Sequence, residues 1–327
     1  MVIRPYRGPA DDPGLAEMRA AAGWPERFDC LIAEDDDGAV AGCGWLDWWD
    51  EADGTRLYLL SGGIAPARRG RGLGRALLSQ QEAEAAQLWE RDPGSGPALL
   101  GANAGPDQPS ALALLTAAGY RVRFTIVDLA CDPAEAGKSP EATDPAPGDN
   151  TAEATDPAEG GAPPADEVAG VRIRPVEENH HPAIYAAVTT CFADSRLGQV
   201  ERTYAEYLEE AKNPDLWLVA WDDDGIAAVV INEVLGDGVV DTPWVAVLPR
   251  RRRQGLASAL LRRNFALLAT NGIREARIRT VQENPNKTVS LYERLGYRIT
   301  GRLPRYAKPL PFALSAAGPD PTGPDHP

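Results

Sequence analysis

The sequence predicts two tandem α/β domains joined by an acidic linker, and three observations support this fold class. A series of strand-like and helical segments occurs twice, once in residues 1–131 and again in residues 169–312. Between the two copies, residues 132–168 are rich in Ala, Pro, Gly, Asp, Glu and Thr, a composition typical of a flexible spacer. The length of 327 residues also equals about two domains of roughly 150. Residues 313–327 share the linker's composition, so we expect a disordered tail there.

The two copies contain the same elements in the same order. Each begins with Ile-Arg-Pro and continues with a strand-like run, an acidic turn ending in Gly, and two further apolar runs. A short polar turn ending in Gly between apolar runs indicates a β-hairpin. Pro, a cluster of arginines, a Gly-rich turn and a helical stretch follow, and Gly-Tyr stands near the end. In the first copy these segments are Ile3–Pro5, Leu31–Glu34, Leu73–Glu90 and Gly119–Tyr120. In the second copy they are Ile173–Pro175, Leu216–Trp221, Leu256–Thr270 and Gly296–Tyr297.

Composition excludes several classes of function. The net charge is −15, and residues 132–167 alone hold ten acidic residues against one lysine. Such a balance disfavours nucleic acid and anionic membranes as partners. The four cysteines form no CxxC pair and the three histidines lack ligand spacing, so we expect neither a metal nor a disulfide framework. No run of about 18 apolar residues and no signal peptide is present, which favours a cytoplasmic protein.

The Gly-rich turn is the segment with the clearest chemistry. A turn that follows a strand and opens a helix presents free backbone N–H groups at the positive end of the helix dipole, where phosphate binds. The turn has neither the Walker spacing nor the dinucleotide fingerprint. Packing alone is the alternative explanation for these glycines. The two turns comprise Arg69, Gly70, Arg71, Gly72, Leu73 and Gly74 in the first copy, and Arg252, Arg253, Gln254, Gly255, Leu256 and Ala257 in the second.

At these residues the sequence resembles the GNAT superfamily of acyl-CoA-dependent N-acyltransferases, whose signature is Arg/Gln-x-x-Gly-x-Gly/Ala. The resemblance implies that each domain is a mixed, mostly antiparallel sheet flanked by helices. It implies that acetyl-CoA is the acyl donor and that the turn amides hold the pyrophosphate of coenzyme A. The strand before the turn would pair with the pantetheine arm, through Val245, Ala246 and Val247 in the second copy.

A second signature of this superfamily places an Asn before a helix that contains Leu-Tyr. In the second copy the Tyr is Tyr292, and the Asn is Asn284, with Asn286 as the alternative. The resemblance implies that Tyr292 lies beside the coenzyme sulfur, where a phenol with a pKa of about 10 is suited to protonating the departing thiolate. A core aromatic residue and a helix cap are the alternative interpretations of Tyr292 and of the two asparagines.

The amine that attacks the thioester must lose a proton, so a carboxylate near the turn is expected. Asp241 lies six residues before Val247, which the period of two places on the same strand face, and members of the superfamily often carry a base there. Glu233 on the preceding strand is the second candidate. Pro243 suggests a bulge that would shift this register, and a loop aspartate without a catalytic role stays an alternative.

The first copy departs from the pattern where chemistry would occur. Counting back from Gly119, as from Gly296 in the second copy, places Leu115 at the position of Tyr292. Counting back from Gly72, as from Gly255, places Tyr58 at the position of Asp241. Its neighbouring tryptophans could line a pocket, although core packing is commoner for such residues. The second copy has a longer first helical region, which the resemblance places along the acceptor site. The tryptophans are Trp45, Trp48 and Trp49, and the longer region includes Tyr185, Phe192, Tyr204, Tyr207, Glu206, Glu209 and Glu210.

Together these features predict an N-acetyltransferase whose second domain moves acetyl from acetyl-CoA to a primary amine of a small molecule, without a metal. The duplicated arrangement resembles mycothiol synthase in architecture, and its first domain is expected to be catalytically silent. The alternatives are a coenzyme A sensor or assembly module without turnover, and an acyltransferase that uses another donor such as aminoacyl-tRNA. The chain would be a monomer or a homodimer.

Overall fold

The computed structural model describes residues 2–16, 29–51, 53–136, 167–168, 170–192 and 203–311. They form two compact units. Unit 1 consists of residues from Met1–Phe124 and Leu303–Pro327, and unit 2 of residues from Thr125–Arg302. The predicted tail and the interior of the predicted linker lie outside the described residues. In that described part, no helix is long and apolar enough to cross a membrane.

Unit 1 is a mixed sheet flanked by two longer helices and by the helical segment 12–16. Its strands are β1 (Val2–Pro5), β2 (Leu31–Glu34), β3 (Val40–Asp50), β4 (Arg56–Ile64), β5 (Ala98–Asn103) and the end of β13 (Arg298–Pro309), and its helices are α1 (Leu73–Arg91) and α2 (Pro109–Ala117). The strand order is β1-β2-β3-β4-β5-β13. Neighbouring strands are antiparallel except for the parallel pair β4–β5.

Unit 2 has the same plan. Its strands are the end of β6 (Arg121–Cys131), β7 (Glu167–Val168), β8 (Val171–Arg174), β9 (Leu218–Asp222), β10 (Gly225–Gly236), β11 (Val239–Val247) and β12 (Glu275–Val281). Its helices are α3 (Pro133–Ala136), α4 (His181–Phe192), α5 (Tyr204–Glu210), α6 (Leu256–Thr270) and α7 (Thr288–Arg294). The order is β7-β8-β9-β10-β11-β12-β6, and only β11–β12 is parallel. The expected mixed, mostly antiparallel sheet flanked by helices is confirmed.

Most local expectations hold, with small differences at element ends. The strand at Leu31–Glu34 and the helix at Leu256–Thr270 form as expected. The strand expected from Leu216 begins at Leu218, because Pro214–Leu216 form a 3-10 turn after Asn213 in the left-handed region. Both ends of the predicted linker are structured, since Pro133–Ala136 is helical and Glu167–Val168 is a strand.

The compact units do not coincide with the sequential domains 1–131 and 169–312. Residues Ile126–Cys131 pair with β12 in unit 2, although the segment follows the first copy in sequence. Residues Arg305–Pro309 pair with β5 in unit 1, although they follow the second copy. Core residues accompany each strand. Val127 and Leu129 of β6 are buried in unit 2, and Leu310, directly after β13, is buried in unit 1. Burying each such side chain contributes about 1.5–3 kcal/mol.

This strand assignment predicts that unit 1 needs the C-terminal segment of the chain. A chain ended after Arg302 should leave β5 as an unpaired edge and remove the buried Leu310, lowering the stability of unit 1 by about 2–5 kcal/mol. A chain ended after residue 311 keeps β13 and is the matched control. Thermal unfolding and limited proteolysis of residues 2–124 would measure the difference, and equal stability of the two chains would contradict the assignment.

Candidate active site

The Gly-rich turn of unit 2 has the geometry of a phosphate site. Gly255 caps α6 in the left-handed region at φ 77°, and Arg253 is also left-handed at φ 62°. Among the described residues, the amides from Arg253 to Ala257 donate to no backbone carbonyl, and no side chain caps the helix. A Cβ at Gly255 would meet nothing within 4 Å. Free donors therefore face open space at the positive end of α6.

The arginines of this turn divide into two groups. Arg252 Nε donates to Val247 O at 3.0 Å and its Nη2 to Cys191 O at 3.3 Å, which joins the turn to the ends of β11 and α4. Arg250 Nη2 bonds Asp222 at 2.6 Å. These guanidinium groups have structural partners. Arg253, in contrast, has no ion pair within the described ranges.

A cleft opens in the sheet below the turn because β11 and β12 separate. The two strands pair only from Val239↔Glu275 to Asp241↔Arg277. Beyond that level β11 continues to Val247, paired with β10 on its other edge. The backbone of Val245, Ala246 and Val247 therefore has one edge without a strand partner in the described residues. An extended ligand arm can pair with such an edge.

Unit 1 contains the same turn and the same separation of strands. Gly70 and Gly72 are left-handed at φ 77° and 85°, and neither has an atom within 4 Å of a Cβ position. Arg69 Nε donates to Ile64 O at 3.0 Å, as Arg252 does to Val247. Strands β4 and β5 stop pairing after Leu59↔Gly101. The repeated sequence thus builds two turns of the same form.

A β-bulge in β11 sets the direction of Asp241. Ile231 pairs with Trp244 and Glu233 with Asp241, so β11 has one extra residue between these pairs. Val240 packs in the core beside α6, and Val247 does so too after the bulge. Asp241 consequently lies on the opposite face, which carries α4. The expectation that Asp241 and Val247 share a face is wrong, for the reason that Pro243 suggested.

Buried amides hold the bulge in place. Thr242 Oγ1 donates to Asn232 Oδ1 at 2.9 Å, and Asn232 Nδ2 donates to Asn264 Oδ1 at 2.7 Å. All three residues are fully buried. Trp217 Nε1 adds a bond to Asn232 O at 3.0 Å. The network ties β10, β11 and α6 together, and sequence reasoning missed it because its members are far apart in the chain.

Asp241 and Glu233 face each other on these antiparallel strands. Burial is the main cause that raises the pKa of Asp241, and the charges of Glu233 and Asp128 raise it further, against the opposing effect of Arg279. Arg279 is itself bonded to Asp128 at 2.6 Å. A carboxyl group with a raised pKa is better matched to accepting a proton than an ordinary aspartate. Both candidate bases therefore lie in one acidic pair.

Tyr292 lies on the α6 face of the sheet. It is buried in the same core cluster as Val240 and Phe265, and its ring centroid is 5.7 Å from that of Tyr297. Burial raises the pKa of its hydroxyl well above the ordinary value. Tyr292 thus packs as a core aromatic residue, and a role of its hydroxyl beside the coenzyme sulfur stays a prediction.

Asn284 does not cap the following helix. Its Oδ1 accepts the amide of Asn286 at 2.9 Å, and its own carbonyl accepts the amide of Lys287. Lys287, left-handed at φ 52°, is the N-cap of α7. Neither asparagine is therefore the cap of this helix, and a role of Asn284 toward the coenzyme stays a prediction.

Unit 1 has no acid–base pair at the corresponding place. Leu115 and Tyr58 are both buried in the core beside α1. Strand β4 pairs with β3 without any register shift from Gly42↔Ile64 to Asp50↔Arg56. Tyr58 consequently points to the helix side, whereas Asp241 points to the other face. The two units differ in strand register as well as in residue type.

The longer helical region of unit 2 forms an aromatic cluster on the α4 face. Tyr185 lies 5.3 Å from Tyr204 and 5.5 Å from Tyr207 between ring centroids. His181 Nδ1 bonds the Tyr207 hydroxyl at 2.9 Å, a contact that the sequence did not reveal. Phe192 packs against Trp244 at 5.1 Å. Glu206 forms the capping box of α5 with Thr203, so its role is structural.

Comparison with known proteins agrees with this architecture. The model described as "Acetyltransferase (GNAT) family" matches residues 3–92, and that described as "Acetyltransferase (GNAT) domain" matches residues 213–299. The two matches together span more than half of the chain. The chain therefore belongs to the GNAT superfamily and contains two GNAT domains. No curated protein sequence matches it.

Solved structures show the same tandem fold. A GCN5-related N-acetyltransferase from Sphaerobacter thermophilus is 22% identical, with a TM-score of 0.67 over 94% of this chain and 95% of that chain. A tandem GNAT protein from the clavulanic acid biosynthesis pathway is 15% identical, with a TM-score of 0.58 over 94% and 98%. The glucosamine N-acetyltransferase region of a fungal multi-domain β-N-acetylglucosaminidase is 15% identical, with a TM-score of 0.63 over 94% and 38%. At these identities the likeness is one of fold.

The paired turns allow a matched test of coenzyme binding. A Glu at Gly255 would strain a left-handed position by about 1–2 kcal/mol and place a negative charge beside the free amides. We expect Gly255→Glu to abolish coenzyme A binding by unit 2, as measured by calorimetric stoichiometry. Gly72→Glu makes the same change in unit 1 and is the control. Unchanged stoichiometry and affinity in Gly255→Glu would contradict the assignment of this turn.

Proposed function

We propose that unit 2 transfers the acetyl group of acetyl-CoA to a primary amine of a small molecule, by direct attack in a ternary complex. The observation that carries this proposal is the Asp241–Glu233 pair, located where β11 and β12 separate. A GNAT fold alone supports acyl transfer from an acyl-CoA. The acidic pair adds a group that can accept the proton of an amine.

The residues of unit 2 fit the donor. The free amides from Arg253 to Ala257 match a pyrophosphate, and the free edge of Val245–Val247 matches the amides of a pantetheine arm. When bound, acetyl-CoA supplies a thioester carbonyl for the amine to attack. Asn284 is proposed to assist from the turn that precedes α7.

Asp241 is proposed as the general base. An amine is an ammonium ion at neutral pH, and the charges of Asp241, Glu233 and Asp128 favour its approach. Asp241 accepts one proton from the ammonium group, which leaves a lone pair on nitrogen. Glu233 acts through Asp241 by raising its pKa, and is the runner-up for the base itself.

Tyr292 is proposed as the general acid. Burial raises the pKa of its phenol, which keeps the group protonated at neutral pH and makes it a weaker acid than an exposed tyrosine. Its proposed role is to give this proton to the departing thiolate. The second proton of the amine nitrogen returns to the phenolate as the amide forms. Asp241 lies on one face of the sheet and Tyr292 on the other, so the two groups can serve the two sides of the cleft.

Unit 1 is proposed to be catalytically silent. By sequence position, Leu115 corresponds to Tyr292 and Tyr58 corresponds to Asp241, and both are core residues. Its turn retains the form of a phosphate site, so binding of coenzyme A without turnover is the proposed role for Arg69–Gly74. Release of free thiol from acetyl-CoA against a panel of amines tests the function, and absence of turnover with every amine would favour a sensor.

Tyr292→Phe is expected to lower kcat about 100-fold or more, the usual contribution of a general acid, while changing the Kd of coenzyme A little. Free-thiol release and calorimetry measure the two quantities. Tyr297→Phe removes the hydroxyl of a neighbouring buried tyrosine and should leave kcat nearly unchanged. Equal loss of kcat in both variants would show that Tyr292 is only structural.

Glu233→Gln should shift the acid limb of the kcat–pH profile to lower pH. The Glu233 charge raises the pKa of Asp241, so removing it lets Asp241 stay ionised, and active as a base, at lower pH. Glu275→Gln is the control, because the Glu275 carboxylate pairs with Arg277 and is not among the charges that shift Asp241. If the acid limb of the kcat–pH profile stays at the same pH in Glu233→Gln, the assignment of Asp241 as the general base loses its support.

A further inference from the structure

Arg305 on β13 is a buried cation that the described residues of unit 1 leave incompletely paired. The residue is 6% exposed, and its Nε donates to Asn103 Oδ1 at 2.5 Å. Its Nη1 is buried without a hydrogen-bond partner. Burial is the main cause that lowers the pKa of Arg305 to about 10. A buried guanidinium in this condition is costly, and an added anion would stabilise it.

The carboxylate that interacts electrostatically with Arg305 is already engaged elsewhere. Glu51 accepts Arg123 Nη1 at 2.9 Å and Nη2 at 2.7 Å, one bond to each oxygen. The Glu51 side chain is fully buried, so this ion pair is closed to solvent on that side. Arg305, Arg123 and Glu51 together carry one surplus positive charge.

A second unpartnered donor lies beside Arg305. Trp49 Nε1 is buried without a hydrogen-bond partner, and Arg305 Cζ lies 5.8 Å from the Trp49 ring centroid. The Phe124 ring is also adjacent, with its centroid 5.6 Å from Arg305 Cζ. The Arg305 side chain also passes over Gly101, since its Cδ lies 3.6 Å from the position that a Cβ of Gly101 would take.

This place is distinct from the phosphate turn of unit 1. Trp49 pairs with Leu57 near the start of β4, whereas the turn follows the end of β4 at Ile64. Seven residues of extended strand correspond to about 23 Å. The pyrophosphate of a coenzyme at the turn therefore does not reach Arg305.

We propose that Trp49 and Arg305 form a binding site for the carboxylate group of a small-molecule ligand on unit 1. The two oxygens of a carboxylate can accept Arg305 Nη1–H and Trp49 Nε1–H, and the single negative charge offsets the surplus positive one. The surrounding rings of Trp49 and Phe124 strengthen both bonds by excluding water. The site is independent of acetyl transfer by unit 2.

Indole resonances of the full chain, labelled with ¹⁵N-tryptophan, test this site. Sodium acetate, titrated against sodium chloride at equal ionic strength, should move one indole N–H resonance saturably. That resonance should be the one absent in Trp49→Phe. The shift should be lost in Arg305→Gln and kept in Arg121→Gln, a control at an exposed arginine of β6. No acetate-specific shift, or a shift that survives Arg305→Gln, would overturn the proposal.

A second measurement covers the case in which Arg305→Gln does not fold. Acetate should raise the Tm of the wild-type chain relative to chloride, and Trp49→Phe, which removes the N–H donor and keeps an aromatic ring, should abolish that rise. Inorganic phosphate serves as the competing probe. A rise with phosphate alone, or an acetate effect equal in wild type and Trp49→Phe, would overturn the assignment to a carboxylate.

Discussion

The extra residue in β11 is the constraint on which the candidate active site depends. Side chains alternate along a strand with a period of two, so one inserted residue reverses the face of every side chain before it. The insertion lies between Asp241 and Trp244. It directs Asp241 away from the core beside α6 and toward the face that carries α4. The buried bond from Thr242 to Asn232 fixes this arrangement.

The two units show how one fold accommodates two strand registers. The ninth residue after the capping glycine of the helix is a buried amide in both, Gln81 in α1 and Asn264 in α6. Gln81 bonds the carbonyls of Trp45 and Ser61 at 2.8 Å each, joining regular strands directly. The shorter Asn264 bonds the Asn232 side chain instead, which in turn holds the bulge. The longer amide thus accompanies regular strands, and the shorter amide accompanies the bulge.

The sequence predicted the local features well and the non-local ones poorly. Glycines with positive φ, the hairpin before Gly225 and the starts of α1 and α6 are determined by residues within a few positions, so their patterns are readable. The pairing of β6 with β12 and of β13 with β5 depends on contacts more than 100 residues apart, which no local pattern encodes. Pro243 signalled the bulge but not its effect on Asp241. His181 and Asn264 gave no signal, because partners distant in sequence define their roles.

The divergence of the two units explains why catalysis is assigned to one of them. In unit 2 the face opposite α6 carries Asp241 and Glu233, which suit a cationic amine. In unit 1 the regular β4 turns Tyr58 into the core, and Arg305 with its unpartnered N–H lies across the face opposite α1. Arg305 is buried beside the Arg123–Glu51 ion pair, and its unbalanced positive charge disfavours an ammonium group at this place. The same charge favours an anion, so the site proposed on unit 1 and the amine site proposed on unit 2 differ in the sign of the charge that each would bind.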